Sequence, residues 1–94
     1  MARALWRGQV LAESDAPEEL EGSLYFPPES VRWEHLRETT RETTCPWKGT
    51  ARLYDVVVEG GVNPLAAWVY PSPTARAKHI GGHLAFWKGV DVER

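Results

Sequence analysis

Apolar residues fall in short runs along this chain, and most of the runs read as strands. Residues 50–59 form the strongest one: Leu53, Tyr54, Val56, Val57 and Val58 bring β-branched and aromatic enrichment. Gly60-Gly61 then supplies a hairpin turn, and residues 62–70 return as the partner strand. Pro64 cannot donate to a β ladder, so that strand is expected to start at an edge or a bulge. Pro71-Ser72-Pro73 ends it. Upstream, residues 4–6 and 9–12 flank a tight turn at Arg7-Gly8. Residues 13–19 read as loop with one helical turn at the acidic end, and residues 22–26 as a strand stopped by Pro27-Pro28. Residues 30–36 alternate, with Val31, Trp33 and His35 on one face and Arg32, Glu34 and Leu36 on the other, which predicts a half-buried strand. The doublet Arg37-Glu38-Thr39-Thr40, Arg41-Glu42-Thr43-Thr44 is too short for a structural repeat and reads as a polar connector.

One short helix is expected at residues 74–80: Thr74 is a candidate N-cap, Ala75, Arg76, Ala77 and Lys78 are good helix formers, and Gly81-Gly82 terminates it. Residues 83–87 and 90–93 flank Lys88-Gly89 as a last hairpin. The whole is a mostly β pattern. It predicts an antiparallel barrel or sandwich of about seven or eight short strands plus that helix.

Composition narrows the function classes. Ninety-four residues make one expected domain, 1–94. A chain of this length buries about 60–65% of the surface its unfolded form exposes, enough for one core. A net charge of −2, with basic residues scattered, leaves no electrostatic footprint for nucleic acid. The longest apolar run, residues 65–69, is far short of the ~20 residues that span a bilayer, and no signal sequence is read in the first residues. The single Cys45 excludes an intramolecular disulfide and a CxxC zinc site, and makes a reducing cytoplasm the expected compartment. Five tryptophans (Trp6, Trp33, Trp47, Trp68 and Trp87) are the unusual feature; such rings fill a small core or wall a ligand site.

Several segments then form a recognisable set. They are Cys45-Pro46-Trp47-Lys48-Gly49, Ala67-Trp68-Val69-Tyr70-Pro71-Ser72-Pro73, Ile80 with Leu84-Ala85-Phe86, and the closing Val90-Asp91-Val92. With the opening hairpin, Ala12-Glu13-Ser14, Leu24-Tyr25-Phe26-Pro27 and Val31, they resemble the bacterial family called domain of unknown function 427 over essentially the whole chain. The resemblance implies a small β-rich protein likened to β-tent folds. Some classifications label the family nucleotidyltransferase-like, yet this chain has no phosphate-binding glycine loop between a strand and a helix and no Asp-x-Asp pair for Mg²⁺. β-Tent relatives often hold zinc through two cysteine pairs; with one cysteine here, packing of the tryptophans would replace that staple.

The candidate site gathers around Cys45 and Trp68. Lys48 follows Cys45 by three residues, and a turn through Pro46-Trp47 could bring its ammonium toward the thiol. The competing reading of Cys45 is a small buried side chain at the entry to a turn. Pro46 and Gly49 have turn roles of their own, whereas the turn does not require Lys48, which suggests an anion site. Trp68 and Tyr70, at i and i+2, share one strand face, and Trp47 could complete an aromatic box. His79 and His83 have helical i, i+4 spacing, but Gly81-Gly82 interrupts them and no HExxH glutamate is present, so no metal site is expected. Glu18, Glu19 and Glu21 read as a solvated acidic face.

The expectation is a pocket lined by Trp47, Trp68 and Tyr70, with Cys45 and Lys48 at its mouth. It would take a small planar or anionic metabolite. Two alternatives stand beside it: an enzyme using Cys45 or Lys48 in thiol or group-transfer chemistry, and a protein-interaction module working through an edge strand or aromatic patch. No cofactor, nucleic acid or membrane partner is expected, and the protein is expected to be a monomer or homodimer.

Overall fold

The valine-rich segment lies at the heart of the main sheet. In the computed structural model, which describes residues 1–94, β1 (Ala2–Trp6) and β2 (Gln9–Ser14) form the first hairpin. Its turn residues Arg7 and Gly8 both have positive φ, 52° and 79°, as a two-residue turn of primed type requires. β3 (Glu18–Leu20) and β4 (Ser23–Tyr25) form a second, smaller hairpin through Glu21-Gly22. β5 (Leu36–Cys45), β6 (Gly49–Val58), β7 (Gly61–Val69) and β8 (Leu84–Phe86) pair antiparallel in the order β5-β6-β7-β8. β9 (Asp91–Glu93) pairs with β1, so the third sheet runs β2-β1-β9. Phe26 and Leu84 exchange backbone hydrogen bonds of 2.8 and 2.9 Å, which fasten the β3-β4 hairpin beside β8.

This is a β sandwich with apolar side chains on both faces of the main sheet. On one face Val56, Val58, Ala67, Leu84 and Phe86 join Ala2, Ala4, Leu11 and Ala12 of the β2-β1-β9 sheet in one buried cluster. Fully buried Leu11, Phe26 and Leu84 each contribute about 1.5–3 kcal/mol by leaving water. On the opposite face Ala51, Tyr70 and Ala85 are covered by Tyr25, Ala77 and Ile80. That cover is partial, and its limit creates the site described below.

Several local expectations are corrected. Residues 30–36 are not a strand: the chain makes two 3-10 turns, Pro28–Ser30 and Trp33–His35. Pro28 presets the first turn, the Ser30 hydroxyl donates to the Pro27 carbonyl at 2.7 Å, and the Trp33 indole donates to the Pro28 carbonyl at 2.9 Å. Residues 37–44 are not a connector but most of β5. As the edge of the sheet, β5 leaves most of its side chains in water, so polarity does not disfavour it there. Ion pairs of Arg37 with Asp55, and of Arg52 with Glu38 and Glu42, tie it to β6.

Residues 18–20 are extended rather than helical, because Glu18 pairs with the buried Tyr25. The predicted helix is a 3-10 segment, Ala75–Ile80, broken at Ala77 (φ −112°). Thr74 does not cap it: its hydroxyl donates to the Trp47 carbonyl at 2.6 Å. The β6–β7 turn is Glu59-Gly60, since Gly61 already pairs with Val58. Lys88-Gly89 does form a turn, with φ of 51° and 86°, but its flanking strands belong to different sheets and do not pair with each other. The Pro64 region is a bulge: Tyr54 faces Ala67 and Val56 faces Asn63, so Pro64, Leu65 and Ala66 together oppose Asp55.

Candidate functional site

The strand registers bring the site's side chains together. Thr43 pairs with Ala51, and Leu53 pairs with Trp68, which pairs in turn with Ala85. Partners in adjacent strands and residues two apart share a face, so Thr43, Leu53, Trp68 and Tyr70 stand on the side of the sheet that Tyr25 and the Ala75–Ile80 segment cover. Trp87 lies just past β8, where its backbone N–H donates to the Ala66 carbonyl at 2.9 Å. The cover stops short of the β5 side. There a cavity of about 180 Å³ remains, lined by Thr43, Lys48, Leu53, Trp68, Tyr70 and Trp87.

Two indoles form its corner. Trp68 and Trp87 meet edge to face, with centroids 5.9 Å apart and planes at 79°. Trp68 also packs edge-on to buried Tyr25 at 6.1 Å and donates its indole N–H to the Tyr25 hydroxyl at 3.2 Å. Trp87 is 49% exposed, so its ring is an open wall.

The bulge holds Trp87 in place. Leu65 has a left-handed φ of 56°, and its carbonyl accepts the Trp87 indole N–H at 2.7 Å. The Leu65 N–H donates to Asp55 Oδ1 at 2.8 Å, and Asp55 Oδ2 accepts from Arg37 Nη2 at 2.8 Å and Nε at 3.2 Å. Asp55 is the single buried charged residue of the chain. Burial alone would raise its pKa, but the Arg37 hydrogen bond, the Leu65 N–H and the Arg37 charge outweigh it, so the carboxyl titrates below its ordinary value.

Lys48 approaches from the β5–β6 loop. That loop is tied to the 3-10 segment by the Thr74 N–H, which donates to the Lys48 carbonyl at 2.9 Å, and by the Thr74 hydroxyl on the Trp47 carbonyl. The Lys48 side chain is 12% exposed, and its ammonium forms an ion pair with Glu21. It lies 5.5 Å from the Tyr70 ring centroid and 5.7 Å from that of Trp47. Burial works against the ammonium, but the Glu21 hydrogen bond and the neighbouring Tyr25, Tyr70 and Glu21 outweigh it, and the Lys48 pKa is raised. The Lys48 hydrogen bond lowers the pKa of Glu21 in turn, and burial raises that of Tyr70.

The family model described as a domain of unknown function (DUF427) matches residues 1–94. The chain belongs to this family. A comparison with curated proteins found no match.

In this DUF427 protein the predicted site residues separate into two groups. Lys48, Trp68 and Tyr70 line the cavity; Trp47 and Cys45 do not, and both pack against the cluster around Tyr25 and Tyr70. The outer face of Trp47 carries Arg76, whose guanidinium is 5.5 Å from the ring centroid. Cys45 is half-buried at the end of β5, paired with Gly49 across the turn. Thr43, Leu53 and Trp87 complete the lining, and sequence reasoning missed them as site residues. For Trp87 the signal was its i+2 spacing from Ala85, which becomes readable only once Ala85 is known to pair with Trp68. Glu21 was read as solvated surface, and half of that holds: it is exposed, yet it is also the counter-ion of Lys48. His83 Nδ1 lies 2.9 Å from the Gly81 carbonyl, and no group of three or more His, Cys, Asp or Glu side chains converges anywhere in the fold. No helix is long and apolar enough to cross a membrane. Chemically, the arrangement offers faces and edges of indole rings for stacking, with the largely covered Lys48 in the same lining.

Proposed function

We propose that this DUF427 protein binds a small planar or anionic metabolite in the cavity between Trp68, Trp87 and Lys48, as a single domain in a reducing cytoplasm. The observation that carries the reading is the pair of perpendicular indoles at 5.9 Å, left open where the cover of the sheet ends. A corner of this kind stacks a flat ring on one indole and meets its edge with the other. The volume of about 180 Å³ lies below the ~300–1,000 Å³ of pockets for drug-sized ligands, which favours a ligand of one ring or a small bicycle.

The electrostatics select against cations. Lys48 flanks Tyr70 at 5.5 Å and Lys88 flanks Trp87 at 5.0 Å, so the aromatic faces that would attract an ammonium ligand already have cations beside them. Lys48 is held as the charged ammonium, which supports an electrostatic role for it over a nucleophilic one.

The test is titration of small aromatic compounds, read by tryptophan fluorescence and by thermal shift. Binding raises the melting temperature with ligand concentration. Loss of that shift in Trp87→Ala, with the fold retained, is the expected result. An unchanged shift in that variant would place the binding elsewhere.

A further inference from the structure

Lys48 stands between two environments, the cavity and the tip of the β3-β4 hairpin. Toward the hairpin its one carboxylate partner is Glu21, whose side chain is 50% exposed; the lysine itself is 12% exposed and fixed between Tyr70 and Trp47. The two partners are therefore unequally exposed to water. The lysine is anchored by burial and by the two Thr74 hydrogen bonds to its loop. Glu21 sits in a two-residue turn with Gly22, both at positive φ (54° and 81°), and its half-exposed carboxylate can turn into water by side-chain rotation alone. An ammonium left only 12% exposed does not stay unpaired at low cost, so a carboxylate within reach will hold it.

We propose that the ligand is an aromatic carboxylate, and that Glu21 acts as a built-in stand-in for the ligand's carboxylate, displaced from Lys48 when the ligand enters. The inference rests on the binding reading above. The ring takes the Trp68–Trp87 corner and the carboxylate takes the Lys48 ammonium from the cavity side. The Glu21 side chain then turns to solvent, while the hairpin stays tied by Arg94, whose guanidinium donates to the Gly22 carbonyl at 3.1 Å. Exchange of one carboxylate for another keeps the Lys48 ammonium paired before and after. It also couples occupancy of the cavity to the position of the exposed Glu21 side chain.

Benzoate and its uncharged counterpart benzamide separate the parts of the proposal. Both should be titrated into the wild-type protein and into Glu21→Gln, with amide and indole N–H resonances followed by NMR. Glu21→Gln removes the competing charge at an exposed position and keeps the hairpin. The expected result is benzoate binding about tenfold tighter to Glu21→Gln than to wild type, the order expected for one charge-assisted contact, with benzamide unchanged. The Glu21 and Gly22 amides of the wild type should shift with benzoate and stay in place with benzamide. If both probes move the Trp68 and Trp87 indole signals but Glu21→Gln alters neither affinity, the displacement idea is wrong and the binding reading stands. If neither probe moves those indoles in either protein, both are wrong.

Discussion

Removing the carboxylate of Asp55 should loosen the cavity wall from behind. Asp55 does not line the cavity, yet it accepts the Leu65 N–H, and the Leu65 carbonyl accepts the Trp87 indole. In Asp55→Ala the Leu65 N–H loses its partner inside the bulge, where Pro64 can supply no ladder bond. A hydrogen bond to a charged acceptor contributes about 1.5–3 kcal/mol. The Arg37 arm adds less, since that side chain is 59% exposed and rehydrates readily, in the range of about 0.2–1 kcal/mol. Relief of a buried charge offsets part of the sum, which leaves a destabilisation of about 2–3 kcal/mol. For a domain of this size that corresponds to a fall in melting temperature of about 10–20 °C. Asp55→Asn keeps an oxygen for Leu65 and should cost about half as much.

The pH dependence follows from the lowered pKa. This carboxylate's contribution is present above its unfolded value of about 3.8 and is lost as pH falls through the still lower folded value. The gap between wild type and Asp55→Asn should therefore narrow only in that acidic window. Calorimetric melts across pH 2–7 give the energies, and the Trp87 indole N–H resonance gives the geometry. A melting temperature within about 2 °C of wild type for Asp55→Ala, with an unmoved Trp87 signal, would refute the claim that this carboxylate holds the bulge.

Three further outcomes follow from the same geometry. Trp87→Ala should cost about 2–4 kcal/mol in a denaturant melt, from the edge-to-face contact, the indole bond to the Leu65 carbonyl and the half-buried ring together, while abolishing binding of aromatic probes. At Leu65, with φ of 56°, glycine should be tolerated or slightly stabilising, whereas Leu65→Val should destabilise by about 1–3 kcal/mol because a β-branched side chain fits that backbone poorly; chemical unfolding of the pair gives the sign. Thr74→Val removes the hydroxyl bond to the Trp47 carbonyl; about 0.5–1.5 kcal/mol of stability should go with it, and faster hydrogen exchange in the Lys48 loop should report the loosening.

The two central strands were the clearest in the sequence because they carry apolar side chains for both faces of the main sheet. Alternating or β-branched apolar residues at 50–59 and 62–70 carry their own signal, and Pro64 announced its bulge because a residue without an N–H cannot continue a ladder. β5 failed to announce itself for the opposite reason. Its Arg-Glu-Thr-Thr doublet has no apolar face to reveal, since an edge strand in water is held by its neighbour's backbone and by cross-strand ion pairs. Residues 30–36 misled in the reverse direction. Their alternation satisfies a period-two template, but Pro27-Pro28 and the Trp33 indole bond bend the backbone first.

At the candidate site the limit was topological. Trp68 and Tyr70 on one face is a statement about a single strand, and local periodicity suffices for it. That Trp87 joins them depends on β8 pairing with β7, and on a left-handed Leu65 presenting its carbonyl to an indole. Neither is encoded in the residues next to Trp87, and the second depends on Asp55, more than thirty positions upstream. Glu21 was hidden in the same way: by composition it belongs to an acidic surface run, and only the placement of the β3-β4 hairpin puts its carboxylate on Lys48. The side chains that give this cavity its direction, one holding the wall and one holding the charge, are both acidic and neither lines it. A search for site residues by aromatic density finds the walls of such a cavity and passes over the two carboxylates that set its geometry and its sign.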